Sequence, residues 1–588
     1  MMMDGDIHIK YISSKYEKWG DIESDEDDNK QHSDINMVMI MEASCEEIPE
    51  YDVEFRAFDD VTGQELDTEL VKKARKNEMD ELARLEVYDI VETTECWKHT
   101  SRAPISARWI DTNKGDNQNR NYRSRFVARE IKSKYGGDAR EDLFAGTPPW
   151  EGIEILLSNI MTDYTSNRKI MFIDISKAYL FAPVVHDHIY IDLPPELSKE
   201  GKCGRLKKAL YGTRAAAHAW ELEYTKTLLE LGFVAGTASG CIFKADGMEL
   251  VVHGDDFTIT GDGEVLKKFA KDLGNKYIVK VRAVLGPGHV DDKEITLLNR
   301  CITWSDTGIT IEADPRHAEL VLKEMDMVDE SKGATTTGCK IEGDDDEENL
   351  NKAEATKYRS LTARLNYMCS DRPDIQFAVK ELCRDMSSPS TTSMIKLKKL
   401  CRYFKYRPRL VIEYKFQATA NSINIYSDSD WAGCRTTRKS TNGGCVMRGS
   451  HCLKTWSSTQ SIVALSSGEA EYYGLTKAGC VALGMRSLFT DYLGADIQII
   501  INLHTDSTAA KGIVSRKGLG KLRHLEVQYL WLQDHVARKN FYIHKVLGTK
   551  NPGDLMTKYL AGFDIDKNIG YMFMQYRNGR SSATPQLT

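Results

Sequence analysis

Apolar and polar positions follow different rhythms along this chain, and each rhythm predicts an element. Over Glu69–Leu85, Leu70, Ala74, Leu82 and Leu85 recur at helical spacing among charges, which predicts an amphipathic helix opening the folded part. Ile170–Ile175 is a short apolar run with an acid, Asp174, near its end, the pattern of a buried strand. Trp220, Tyr224 and Leu228 are spaced by four within Arg214–Leu231, and Gly232 follows as a stop, so a helix is expected there. Leu250–Thr260 has two β-rich arms around Gly254-Asp255-Asp256 and predicts a hairpin. Arg372–Met386 predicts a helix with Pro373 in its first turn. Strands and helices thus mix in α+β fashion over residues 85–330.

The last third changes character. Strand-like runs at Ser422–Asp428, Gly443–Arg448 and Leu453–Ser457 precede a long helical stretch, Ser467–Tyr492. A strand at Asp496–Leu503, short helices after Asp506 and Lys521, and a strand at Phe541–Val546 complete the pattern of an α/β layer on a mixed sheet.

Length and charge refine this picture. The 588 residues exceed what one hydrophobic core organises, so several domains are expected. With 41% apolar and 28% charged residues the chain reads as soluble and globular. No run of about 18 apolar residues is present, so no membrane span is expected. The start, Met1–Lys10, lacks the pattern of a secretory signal. The 13 cysteines are scattered with no Cys-x-x-Cys, which favours a reducing compartment over a disulfide framework. The net charge of −8 is unevenly spread: residues 1–70 carry 21 acidic and 5 basic side chains, leaving 66 acidic and 74 basic over 71–588. Residues 1–66, including Asp21–Asp28, are therefore expected to be an acidic tail before a mildly basic body. The acidic stretch Glu342–Glu348 after Gly333–Gly338 reads as a linker. A basic body is compatible with a polyanionic partner.

Two groups of acids fall where chemistry could use them. Asp174 stands at the tip of its strand and Asp255-Asp256 in the tight turn of the hairpin. Three carboxylates gathered together repel, and a pair of divalent cations relieves that cost while aligning an in-line displacement at phosphorus. Magnesium suits such oxygen ligands. In the last third, Asp428 ends a strand, Glu471 lies near the start of the long helix, Asp506 follows a strand and Asp554 opens a helix. That alternation can bring four acids to one sheet edge. Two other segments are set aside: Asp306-Thr307-Gly308 reads as a turn between strands, and Gly286-Pro287-Gly288 as a lone turn.

The surrounding residues resemble a known family. The strand segment Asp174-Ile-Ser-Lys-Ala-Tyr179-Leu, the basic turn Leu206-Lys-Lys-Ala-Leu-Tyr211-Gly212-Thr-Arg214 running to Trp220, and the His253-Gly254-Asp255-Asp256 hairpin resemble motifs of the reverse transcriptases of copia-type LTR retrotransposons. Arg123-Ser-Arg125-Phe-Val-Ala-Arg129 and Tyr358-Arg-Ser-Leu…Arg372-Pro-Asp-Ile are similar to two further motifs, and the resemblance spans roughly residues 66–560. It implies an α+β multidomain protein, a right-hand polymerase (fingers, palm, thumb) followed by an α/β ribonuclease H-like domain with a mixed sheet. The implied division is 67–330 polymerase, 331–420 linker and connection, 421–562 ribonuclease H-like and 563–588 a C-terminal tail. The implied activity is RNA-directed DNA polymerase with ribonuclease H, using two Mg2+ per site, with Mn2+ as a substitute.

Carried over by residue, Asp174, Asp255 and Asp256 are the implied metal-binding acids of the polymerase. Asp428, Glu471, Asp506 and Asp554 are those of the nuclease. Glu471 is taken over Glu469 because it precedes the aromatic pair, and Asp428 over Asp430 because it ends the apolar strand. Tyr179 is implied under the incoming sugar, and Tyr211, Gly212 and Arg214 in the turn against template and nucleotide. Arg123, Arg125 and Arg129 are candidates for the triphosphate, and Leu285-Gly286 for the primer-side turn. The implied partners are an RNA template, a DNA or tRNA primer, dNTPs and an RNA–DNA hybrid, with no membrane, in the cytoplasm within a virus-like particle and in the nucleus. Capsid-type Cys-His knuckles and an integrase core are not recognisable, so a piece of a longer polyprotein is expected. Ala215-Ala216-Ala217 replaces the family's Gln-Ala-Pro and His253-Gly254 its commoner Tyr-Val. These departures keep open the alternative of a catalytically silent relic that binds nucleic acid or protein.

Overall fold

The computed structural model describes residues 56–115, 120–131, 143–165, 167–327, 332–339, 348–520, 522–581 and 584. Most of the expected acidic tail and of the acidic linker, residues 1–55 and 342–347, lies outside them.

At the start of the described chain, helix Thr68–Arg84 is capped by the Asp67 carboxylate, which accepts the Glu69 and Leu70 N–H groups. It buries Val71 and Leu82 against the hairpin Ala107–Asn113/Tyr122–Ala128, whose buried positions alternate as a half-covered strand requires. Residues 57–66 are more than a tail. Ala57–Phe58 pairs with Glu65–Leu66, and the Asp59 carboxylate in the turn accepts N–H groups from Val61, Thr62 and Asn113. The sequence hides this hairpin because its strands are only two residues long.

Three large sheets carry the rest. The first has six antiparallel strands in the order Val279–Leu285, Arg168–Ile175, Asp256–Asp262, Met248–His253, Ile242–Ala245, Val234–Ala235. Its apolar strand Arg168–Ile175 is interior to the sheet and buried on both faces, which explains its unbroken hydrophobic run. Helices Ala216–Glu230 and Gly263–Gly274 cover one face through Trp220, Tyr224, Leu266 and Phe269. Helix Trp150–Met161 covers the other.

The second sheet is antiparallel, in the order Glu294–Leu297, Arg300–Ser305, Gly308–Ala313, Arg409–Lys415, Met574–Arg577. Its last strand comes from the region read as a C-terminal tail. Helix Gly562–Tyr571 precedes that strand, and Leu410 pairs with Tyr576 across the edge. Helices Lys352–Met368, Pro373–Arg384 and Thr391–Tyr406 lie between its third and fourth strands in sequence.

The third sheet is mixed, in the order His451–Thr459, Thr441–Arg448, Ser422–Ser429, Ile500–Thr505, Tyr542–Lys545. The first two pairings are antiparallel and the last two parallel. The long helix Ser467–Leu493 packs on it.

Helix Trp150–Met161 ties these layers together. Every residue from Gly152 to Met161 is buried, the mark of a helix enclosed on all sides. Asn159 donates to Glu249 of the first sheet and accepts from Arg448 of the third. Ser158 bonds His451 of the third sheet, and the Gly152 carbonyl accepts the Tyr492 hydroxyl of the long helix. No helix among the described residues is long and apolar enough to cross a membrane.

Candidate active sites

The first acid group is built by strand register. Asp256 is directly opposite Asp174, so both side chains leave the same face of the first sheet, while Asp255 sits in the turn beside them. Gly254, at φ +67°, takes the left-handed conformation that this two-residue turn needs. The turn is pinned twice: Trp220 Nε1 donates to the Gly254 carbonyl at 2.8 Å, and the Ile175 N–H to the Asp255 carbonyl at 2.9 Å. Asp174 accepts the Ser176 hydroxyl at 3.2 Å. Asp256 accepts from Arg282 Nη1 at 3.0 Å, and Arg282 Nη2 donates to the Thr296 carbonyl at 2.7 Å. Burial raises the Asp256 carboxyl above its ordinary range; Arg282 opposes the rise, and Asp255 and Asp174 add to it. Arg282 has no sequence signal. It reaches Asp256 because the pairing register slips between Val281 and Ala283.

The residues matched to nucleotide binding share a wall beside this turn. Tyr179, in the 3-10 turn Ala178–Phe181, lies 5.3 Å from the Tyr211 ring, and the Arg125 guanidinium 5.1 Å from that ring on its other contact. Burial pushes the Tyr211 phenol up to about 12. The Tyr179 phenol is raised by burial and by Asp255, with Arg125 acting against it. Arg125 Nε is buried without a hydrogen-bond partner. Arg123 and Arg125 leave the same face of their strand; Arg129 lies just past its end, and Arg123 and Arg129 are exposed. The Tyr211 carbonyl accepts the Ala128 N–H at 2.8 Å, and the Arg214 N–H donates to Glu130 at 2.8 Å. This docking demands glycine at 212: φ is +81° and a Cβ would lie 2.0 Å from the Ala128 carbonyl oxygen.

The second acid group is tighter. Asp428, Glu471 and Asp506 present carboxylate oxygens that all lie within 4.8 Å of one another. Among the described residues no other three His, Cys, Asp or Glu side chains meet so closely, so the first acid group is the more open of the two. Asp428 ends the strand Ser422–Ser429, Glu471 lies in the second turn of the long helix, and Asp506 follows Ile500–Thr505. Asp554, in the 3-10 turn Pro552–Met556, reaches the group through Lys558, whose Nζ is 2.8 Å from Asp554 and 3.6 Å from Asp428. Thr557 donates its hydroxyl to Asp428.

Burial, reinforced by Asp428 and Asp506, pushes Glu471 up to about 9. Burial and Asp428 push Asp554 to about 6 against the pull of Lys558, and Asp506 is raised for the same first reasons. Glu471 Oε2 is buried with no hydrogen-bond partner. Hard oxygen donors, mutual repulsion and an orphaned buried carboxylate oxygen together fit a divalent cation such as Mg2+.

The neighbouring acids do other work. Glu469 accepts from the Tyr473 hydroxyl at 2.6 Å and lies 2.9 Å from His524. Asp430 accepts the Thr441 N–H. Asp306 sits in the turn between two antiparallel strands of the second sheet.

Residues 85–288 match the family model described as reverse transcriptase (RNA-dependent DNA polymerase). The chain is also similar to Pol polyproteins of plant transposons. It is 27% identical over 470 residues to the Retrovirus-related Pol polyprotein from transposon RE2 of Arabidopsis thaliana, covering 78% of this chain and 31% of that one. To the corresponding polyprotein from transposon TNT 1-94 of Nicotiana tabacum it is 24% identical over 521 residues, covering 84% of this chain and 37% of that one. The chain therefore spans about a third of the length of these relatives. A solved structure of a foamy viral protease-reverse transcriptase in complex with double-stranded DNA aligns at TM-score 0.46 and 12% identity, over 82% of this chain and 70% of that one.

Proposed function

We propose that the chain is an RNA-directed DNA polymerase that also cleaves the RNA of an RNA–DNA hybrid. In this reading the first sheet is the palm, the hairpin Ala107–Ala128 belongs to the fingers, and the mixed third sheet is a ribonuclease H-like domain. The observation that carries it is the register placing Asp256 beside Asp174, with Asp255 in the pinned turn and the Tyr179–Tyr211–Arg125 wall next to it.

Asp174 and Asp255, with Asp256 behind them on Arg282, would hold one pair of divalent ions. Asp428, Glu471, Asp506 and Asp554 would hold the other. Such ions activate the attacking hydroxyl or water and stabilise the departing oxygen. The chain's own residues orient the substrate. Arg125 meets phosphate charge, Tyr179 supports the sugar, and the backbone at Gly212 permits close approach. Binding through backbone phosphates makes affinity fall steeply with salt.

The test is a primer-extension assay with RNA template, DNA primer, dNTPs and Mg2+, run beside cleavage of a labelled hybrid without dNTPs. Asp255→Asn is expected to abolish extension, at least a hundredfold loss, while leaving cleavage within about threefold, with Glu471→Gln doing the reverse. A wild-type chain with neither activity would establish the silent-relic reading, which the replacement of Gln-Ala-Pro by Ala215–Ala217 favours.

A further inference from the structure

Lys558 divides the second acid group unequally. Its ammonium bridges Asp554 at 2.8 Å and Asp428 at 3.6 Å, while Asp428, Glu471 and Asp506 meet one another on the other side of the shared Asp428. The same Asp428 oxygen, Oδ2, is 3.6 Å from Lys558 Nζ and accepts the Thr557 hydroxyl. Asp428 is almost wholly buried, whereas the Lys558 side chain is 43% exposed and free to swing on its four-carbon stem.

We propose that Lys558 is a built-in monovalent cation that competes with a divalent ion for the Asp428–Asp554 edge. This rests on the nuclease reading above. The ammonium holds two carboxylates in register that would otherwise repel, and it sets an order of filling. The Asp428–Glu471–Asp506 group takes a divalent ion without displacing any charge. The Asp428–Asp554 edge takes one only by expelling the ammonium. The negative charge of a bound scissile phosphate favours that exchange, because the displaced ammonium then finds a phosphate oxygen as its new partner. Lys558 is thus a positioning residue that ties the second ion to the presence of substrate.

The experiment is a Mn2+ titration of the full chain without nucleic acid, in an Asp174→Asn/Asp255→Asn background that removes the other proposed pair of ions and serves as the wild type for Lys558, read as free Mn2+ by electron paramagnetic resonance, beside the Mg2+ dependence of hybrid cleavage. In the wild type one Mn2+ is expected to bind clearly tighter than the second. In Lys558→Gln the second Kd falls by about tenfold, because a like charge has been removed from the edge. The Mg2+ midpoint for cleavage falls with it, and the maximal rate drops. Lys558→Arg, which keeps the charge, is expected to restore the wild-type order. Lys558→Met, of matching length, replaces the Gln variant if that one fails to fold. Unchanged or weaker second-ion binding in the neutral variants would overturn the role of Lys558. A wild-type chain that binds no Mn2+ would instead overturn the nuclease reading itself.

Discussion

Single side chains at the layer junctions carry consequences out of proportion to their size. His451 is fully buried: Nε2 donates to the Lys415 carbonyl at 2.7 Å, and Nδ1 accepts from Ser158 at 2.9 Å and Gln417 at 3.1 Å. All its partners suit the neutral ring, and burial lowers its pKa to about 4. The folded pKa is depressed, so the stabilisation is present above the unfolded value of about 6.5 and is lost as pH falls from there towards 4. The full effect is on the order of 3 kcal/mol. Melting temperatures between pH 7.5 and 4.5 are expected to fall less steeply in His451→Gln than in the wild type, from a lower starting value. Nothing in the sequence marked His451 or Arg282, because each acts through a contact made only when distant strands meet. Asp174 was legible for the opposite reason: an acid closing an apolar run is unusual within a few residues of sequence.

Elements were legible in proportion to their length and period. The helices around Trp220 and Pro373, the long helix and the Asp255 hairpin all lie within a few residues of where the pattern puts them. The strand Met574–Arg577 escaped because four residues hold no period, and its reason for existing is the open edge of Arg409–Lys415. Its Tyr576 hydroxyl meets that of Tyr403 at 2.8 Å above the buried Arg372–Asp374 pair. Removing residues 574–588 is therefore expected to lower the melting temperature by several degrees and to promote association through the uncovered strand, measured by scanning calorimetry and light scattering. Tyr576→Phe, which leaves the strand in place, should cost about 1 kcal/mol and leave the chain monodisperse at the concentrations where the truncation associates. Of the second acid group, the alternation of strand ends and helix starts anticipated the meeting of Asp428, Glu471 and Asp506, but not the place of Asp554 behind Lys558. Spacing along the chain says nothing about which carboxylates an ammonium will bridge.

Across the whole molecule the first and third sheets are joined at both ends of the long helix's C-terminal turn. Asp491 accepts the backbone N–H groups of Thr237, Ala238 and Ser239, Tyr492 donates to Gly152, and Lys244 donates to the Leu493 carbonyl. A carboxylate holding three successive amides is a strong clasp, so Asp491→Ala should destabilise by about 3 kcal/mol. Hydrogen exchange followed by mass spectrometry is expected to show loss of protection at residues 237–239, with helix Trp150–Met161 unchanged. Asp491→Asn keeps one acceptor and should lie between the two. The three-sheet assembly itself was only partly legible, because the enclosed helix Trp150–Met161 reads in sequence as any apolar segment until its neighbours are known.

The edge strand Met574–Arg577 also dictates an order in time. Its partner Arg409–Lys415 leaves the ribosome before the whole third sheet has been translated, a delay of roughly ten seconds or more at ordinary elongation rates. A nascent chain must therefore carry an unfinished second sheet while the third sheet is still being made. The first sheet can close early, whereas the second stays open at the Arg409–Lys415 edge until Met574–Arg577 has emerged, and products stalled before that point would be recognised by quality control through the open edge.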